Sequence, residues 1–262
     1  KIICLVLAVC LTACLFAGCG KNDDKTASDA SEAQKTAEVI KFGTNAEFPP
    51  FEFVAANGVI DEFDGIDICI AKEIAEQNGA TAKIENMEFD SLLVALQNKQ
   101  IDAVIAGMTA TDERKESVNF STPYYKATQV MIVKEDSTIA KAADMADKKI
   151  VVIQGYTGET CVKDMGYNYE SFKKGTEAVM ELVNGKCDVV VIDSATASKY
   201  VKDNPGLKIV EDSEAFETEE YAVAVNKDNT ELLEKINKAI DKLLADGKVN
   251  EYAAKYAEVT EE

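Results

Sequence analysis

The chain has 262 residues, enough for two ordinary domains at roughly 100 to 200 residues each, and its hydrophobic fraction of 47% is that of a folded, globular protein. It contains no His and no Trp, which excludes Ser-His-Asp chemistry, His proton shuttles and His-ligated zinc, and no cofactor or metal is expected. A formal net charge of -19 without a segregated basic stretch argues against nucleic acid as a partner.

Residues 2–17 are almost uninterruptedly apolar, follow Lys1 and stop at Gly18-Cys19-Gly20. Spanning a bilayer as a helix takes about 20 apolar residues, so this shorter run ending in small residues reads as a secretory signal. Phe16-Ala17-Gly18-Cys19 resembles the lipobox of bacterial lipoproteins, which makes residues 1–19 a signal segment and Cys19 the expected lipidation site. Leu11-Thr12-Ala13-Cys14 fits the letters better, but apolar residues follow it, whereas polar ones follow Cys19. An uncleaved anchor is the alternative, and it leaves the same domain outside the same membrane. Residues 20–37 have Ala as their only larger apolar type and read as a flexible tether. Of the 7 Cys, those beyond the signal segment are Cys69, Cys161 and Cys187, an odd set that argues against a disulfide framework. A Cys161 to Cys187 bridge and three buried small hydrophobes both stay open.

From residue 38 onward β-branched runs alternate with helical stretches. Residues 39–43, 81–84 and 102–106 predict strands, and residues 66–77 (Ile66, Ile70 and Ile74 on one face) and 90–98 predict helices. The pattern restarts with strands at 129–133, 149–153 and 188–192 and helices at 176–182 and 194–202. A strand at 221–225 and two helices over 230–256, parted by Gly247, close the chain. Two α/β lobes are therefore expected, with ligand sites outside the carboxyl ends of mainly parallel strands.

Arg114 is the only arginine among 28 basic residues. A guanidinium binds a carboxylate through two parallel hydrogen bonds, which an ammonium cannot copy. The segment Gly107-Met108-Thr109-Ala110-Thr111-Asp112-Glu113-Arg114 follows a strand and opens a helix, with Thr111 as its expected N-cap. Gln154-Gly155-Tyr156-Thr157 repeats the arrangement in the second half, where a helix start favours an anion. Asp193 ends the apolar run Val189-Val190-Val191-Ile192, either as an acceptor for an ammonium group or as a plain N-cap. Phe48-Pro49-Pro50-Phe51-Glu52-Phe53 forms a stiff aromatic loop after the first strand, so Phe48 and Phe51, with Phe89 before the second helix, are candidate walls of one cleft.

These stretches, with Gly65-Ile66-Asp67-Ile68-Cys69-Ile70-Ala71-Lys72-Glu73-Ile74-Ala75 and Phe120-Ser121-Thr122-Pro123-Tyr124-Tyr125, resemble bacterial solute-binding proteins of family 3, which serve ABC transporters for polar amino acids. The one departure in the signature is Cys69, where the family normally carries a second acid. The resemblance implies an α/β type II periplasmic binding protein fold, with two α/β lobes joined by a two-strand hinge. Residues 38–127 and 222–262 would form lobe 1 and residues 128–221 lobe 2. It implies that Arg114 with the amides of Thr109 and Thr157 binds the α-carboxylate of a polar or basic free amino acid. Asp193 and the Gly107 carbonyl would bind its ammonium group, Phe48 would stack on its side chain, and Asn45, Phe89 and Met108 would line the rest. Asn45 stands where some binders of cationic side chains carry Asp; Glu47 and Glu52 would restore an acidic wall. The implied partners are ABC permease subunits and, through the lipid anchor, the outer face of the cell membrane. An amino-acid-sensing ectodomain and a cyclohexadienyl dehydratase-like enzyme on the same fold are the rival readings.

Overall fold

The first strand, Glu38–Thr44, starts with Lys41 outward and Ile40 and Phe42 inward, and ends with Gly43 and Thr44 buried. A strand covered on both faces belongs inside a sheet. It pairs in parallel with Ala80–Asn86 on one side and Ala103–Val104 on the other, and the antiparallel strands Ala224–Asn226 and Val118–Phe120 complete the sheet. The structure, a computed structural model, describes residues 38–258. The signal-like run, Cys19 and the tether lie outside the described residues. Helix Ile66–Gln77 buries Ile66, Ile70 and Ile74, and the final helices Thr230–Ala245 and Lys248–Glu258 pack against it. Between those two, Gly247 at φ 71° makes the left-handed turn that a side chain would resist.

The second sheet runs Tyr169–Phe172, Ile150–Ile153, Val189–Asp193, Tyr125–Lys134 and Leu207–Val210. Its strand Val189–Asp193 is buried throughout: Val190 and Ile192 face one apolar cluster, Val189 and Val191 the other. That two-sided burial is the physical reason for its unbroken apolar run.

Two extended segments join the sheets. Tyr125–Lys134 is longer than the predicted strand because its first four residues pair antiparallel with Thr218–Tyr221, ahead of the part that enters the second sheet. The predicted strand at 221–225 is in fact two, Thr218–Tyr221 and Ala224–Asn226. Between them the backbone changes partners: Ala222 N–H donates to Met108 O at 3.1 Å and Val223 N–H to Ser121 Oγ at 2.9 Å. The molecule is thus an α/β protein of two lobes joined by a two-strand hinge. Cys161 and Cys187 are free thiols, and burial pushes both up to about 11.

A third, small antiparallel sheet of Glu47–Phe48, Glu52–Val54 and Phe63–Asp64 carries the aromatic loop. Gly65 leaves it at φ 127°, and a Cβ there would lie 2.1 Å from the Phe51 carbonyl oxygen. Gly65→Ala is expected to lower unfolding stability by about 2 to 3 kcal/mol, the scale of a forced φ plus displaced backbone. Urea denaturation with an unchanged m-value checks it.

Candidate functional site

The strand ends of the two sheets face each other, and the loops that leave them meet. From the first sheet, Thr111 caps helix Asp112–Ser117 by accepting from Arg114 N–H at 3.2 Å, as its place before the helix predicts. That cap holds the Arg114 side chain over the Phe89 ring, with the guanidinium carbon 5.3 Å from the ring centroid. Arg114 Nη1 donates to Thr109 O at 2.8 Å, and Nη2 crosses to Gly155 O of the second sheet's loop at 2.9 Å. Gly155 has φ 80°, a conformation that presents this carbonyl and that side chains rarely adopt.

Asp193 ends its strand 3% exposed and starts helix Ser194–Asp203, yet its side chain makes no cap bond. It accepts instead from the Tyr221 hydroxyl on the hinge. Burial, reinforced by the negative charge of Glu219, pushes its carboxyl up to about 7. The plain N-cap reading of Asp193 is therefore set aside.

Phe48, Phe89, Gly107, Thr109, Arg114, Tyr156, Thr157 and Asp193 line one cavity between the lobes. It is tight, with about 10 Å³ open to the centre of a water-sized sphere. The rings form a continuous wall: Tyr156 meets Phe48 edge-on at 5.3 Å and Phe89 at 4.7 Å. Further polar contacts bridge the lobes around it: Tyr156 OH donates to Asn45 Oδ1 at 3.2 Å, and Lys174 Nζ lies 2.8 Å from Glu47 Oε1.

Three candidates stand off the cavity. Asn45 is behind Tyr156, tied also to Met87 O, and Phe51 is wholly buried beneath Phe48 at a 5.5 Å ring separation. Met108 packs in the cluster of Leu92 and Val104. The acidic wall expected of Glu47 and Glu52 is not formed, because Glu47 is paired with Lys174 and Glu52 is fully buried. Conversely Tyr156, Tyr221 and Glu219 belong to the site region and were not singled out from the sequence. Tyr156 lies inside the quoted Gly155-Tyr156-Thr157 stretch, and the other two lie on the expected hinge crossing, so position was the available signal.

Glu52 explains itself through Asp67. Both oxygens of Glu52 and Oδ1 of Asp67 find no conventional donor, while Asp67 Oδ2 accepts from Gly107 N–H at 2.7 Å and Tyr124 OH at 2.8 Å. A proton on Glu52, donated to Asp67, satisfies the orphaned pair. Burial first, then the Asp67 charge, hold Glu52 well above the usual carboxylate range, and burial lifts Asp67 to about 6. Gly107 is thus positioned by a buried carboxyl pair, and its own Cβ, if it had one, would strike the Phe48 ring at 2.6 Å.

The family model of bacterial extracellular solute-binding proteins, family 3, matches residues 40–259. The chain belongs to this family. It is 38% identical over 220 residues to "ABC transporter arginine-binding protein 1" of Escherichia coli (strain K12), covering 80% of this chain and 87% of that one. It is 32% identical over 262 residues to "Arginine-binding extracellular protein ArtP" of Bacillus subtilis (strain 168), covering 98% and 97%. Among solved structures, the arginine-, lysine-, histidine-binding protein ArtJ from Geobacillus stearothermophilus superposes with a TM-score of 0.78 at 35% identity, covering 84% of this chain and 95% of that one. The type II periplasmic binding fold follows, as does the role of an extracytoplasmic substrate-binding component of an amino-acid ABC transporter.

The raised carboxyl pair has a definite consequence for pH. The native state keeps protons on Glu52 and Asp67 that the unfolded chain releases near 4.5 and 3.8, so stability falls as pH rises above those values. The urea midpoint of the family member is expected to drop steadily from pH 4.5 to 8. Glu52→Gln keeps a donor to Asp67 without a proton to lose, and is expected to reduce that slope while leaving the part due to Asp67 and Asp193, which burial also raises.

Proposed function

We propose that the protein binds L-arginine, or a closely similar cationic amino acid, between its two lobes. Lobe 1 comprises residues 38–127 with 222–262, and lobe 2 residues 128–221. The observation that carries the reading is the convergence of Arg114 and Asp193, from opposite lobes, on one aromatic cavity. Arg114, with the Thr109 and Thr157 amides, takes the α-carboxylate; Asp193 and the Gly107 carbonyl take the α-ammonium. Phe48, Phe89 and Tyr156 pack on the side chain. A zwitterion gripped at both ends favours closure only through its differential affinity for the closed form.

The cationic side chain is supported by the names of the relatives and by charge. A groove of about 1290 Å³ opens beside the cavity, and among its lining residues Asp90, Asp112, Glu113, Glu116, Glu217 and Glu220 outnumber the bases Arg114 and Lys126. Clefts lined by one sign of charge concentrate the opposite one. The fit must come from opening at the hinge, since the cavity as closed admits only a water-sized body.

In this reading the ligand-loaded lobes dock on permease subunits, the chain performs no chemistry on its ligand, and Cys19 carries the lipid that holds it to the outer face of the membrane. Charged hydrogen bonds contribute roughly 1.5 to 3 kcal/mol each, and a micromolar site needs about 8 kcal/mol. Two gripped ends plus stacked rings suffice.

Isothermal titration of protein refolded to remove carried ligand, against arginine, lysine, histidine, glutamine and cystine, tests the reading, with arginine expected to bind most tightly. Arg114→Ala is expected to weaken arginine at least about 100-fold, the loss of a bidentate charged contact of roughly 3 kcal/mol, while leaving the melting curve cooperative. Retained affinity in that variant, or binding to none of the five, overturns the proposal.

A further inference from the structure

Glu219 stands on the hinge strand Thr218–Tyr221, opposite Ala127 of the other crossing strand. Its Oε2 accepts from Thr109 Oγ1 at 2.7 Å and from Thr157 Oγ1 at 2.7 Å. One hydroxyl comes from the loop after the first sheet and the other from the helix start of the second. A threonine hydroxyl carries a single proton, so each can serve only one acceptor at a time. Thr157 Oγ1 meanwhile accepts from Gln129 Nε2 at 3.0 Å, which leaves its own proton directed at Glu219. Glu219 also contributes more favourable charge to the Arg114 guanidinium than Asp193 does.

Arg114 and the amides of these same two threonines take the carboxylate in the proposed amino-acid site, so Glu219, held on their hydroxyls, stands against its position, and on that reading the following rests. We infer that Glu219 is an internal competitor for the ligand carboxylate: its side chain engages the Thr109 and Thr157 hydroxyls, lies beside Arg114, and must yield when an amino acid binds. A ligand carboxylate on the Thr109 and Thr157 amides meets like-charge repulsion from a Glu219 carboxylate held on the hydroxyls of the same two residues. Glu219 therefore lowers affinity for any α-amino acid and holds the lobes together through its own bonds to both. The same residue gives the hinge a contact that the ligand replaces. A hinge residue that merely packs would leave affinity unmoved on loss of its charge.

The test is arginine titration of wild type, Glu219→Gln and Glu219→Ala. Glu219→Ala is expected to tighten binding about tenfold, equivalent to about 1.4 kcal/mol. Glu219→Gln, isosteric but uncharged and with one acceptor oxygen, is expected to tighten it less and guards against a variant that fails to fold. The gain is expected to shrink in a Thr109→Val, Thr157→Val background, where no hydroxyl holds Glu219 against the carboxylate position. Unchanged or weakened affinity in both Glu219 variants overturns the inference, and so does a gain that persists undiminished without the two hydroxyls. Failure of wild type to bind any amino acid sinks the site reading itself, which is a separate outcome.

Discussion

The hydrogen bond from Arg114 to the Gly155 carbonyl is the contact around which the rest is arranged. It leaves a helix at the edge of one sheet and ends on a loop of the other, and the two sheets are otherwise linked by a pair of strands, a ring of polar contacts and the Tyr156 ring against Phe48 and Phe89. A guanidinium can make this bond, donate to Thr109 O and lie over Phe89 simultaneously because its donors are fixed in one plane. An ammonium could satisfy one of these and would give up its proton more readily in a site that burial already disfavours for charge. The single arginine of the chain is therefore a geometrical necessity at one point.

Around that contact the protein gathers several carboxyls and gives each its own partners. Glu52 shares a proton with Asp67, Asp193 is lifted to about 7, and Glu219 is held by two hydroxyls. Each is tied to a different element: the small sheet, the first helix of the chain, the end of a buried strand, and the hinge. Asp193 and Glu219 lie between the two sheets, whereas the Glu52–Asp67 pair is buried beneath the aromatic loop and supports Gly107.

Much of this was legible in residue order. The two α/β repeats, the Thr111 cap and the importance of Arg114 follow from periodicity, capping chemistry and the scarcity of arginine, all local properties. Asp193 was legible as a candidate because it ends an apolar strand, though its choice between cap and site depends on Tyr221, which only the fold brings near. Glu219 was not legible, since its partners Thr109 and Thr157 lie 110 and 62 positions away and meet only when both lobes are assembled. Glu52 misled for the same reason: its neighbours in sequence are loop aromatics, but Gly65 turns helix Ile66–Gln77 back under that loop and buries it against Asp67. Phe51 went under with it.

The hinge strands unite these observations. Tyr221 donates to Asp193, Glu219 accepts from loops of both sheets, and three residues after Tyr221 the same chain enters the first sheet. A segment that must flex for ligand to enter thus carries the side chains that contact the site most directly from behind. Any rotation of the lobes about it changes the bonds of Tyr221 and Glu219 together with the Arg114 bond to the Gly155 carbonyl. In the proposed site the ligand's two charged ends would act on these side chains from opposite sides: the carboxylate against Glu219, the ammonium toward the acid that Tyr221 otherwise occupies.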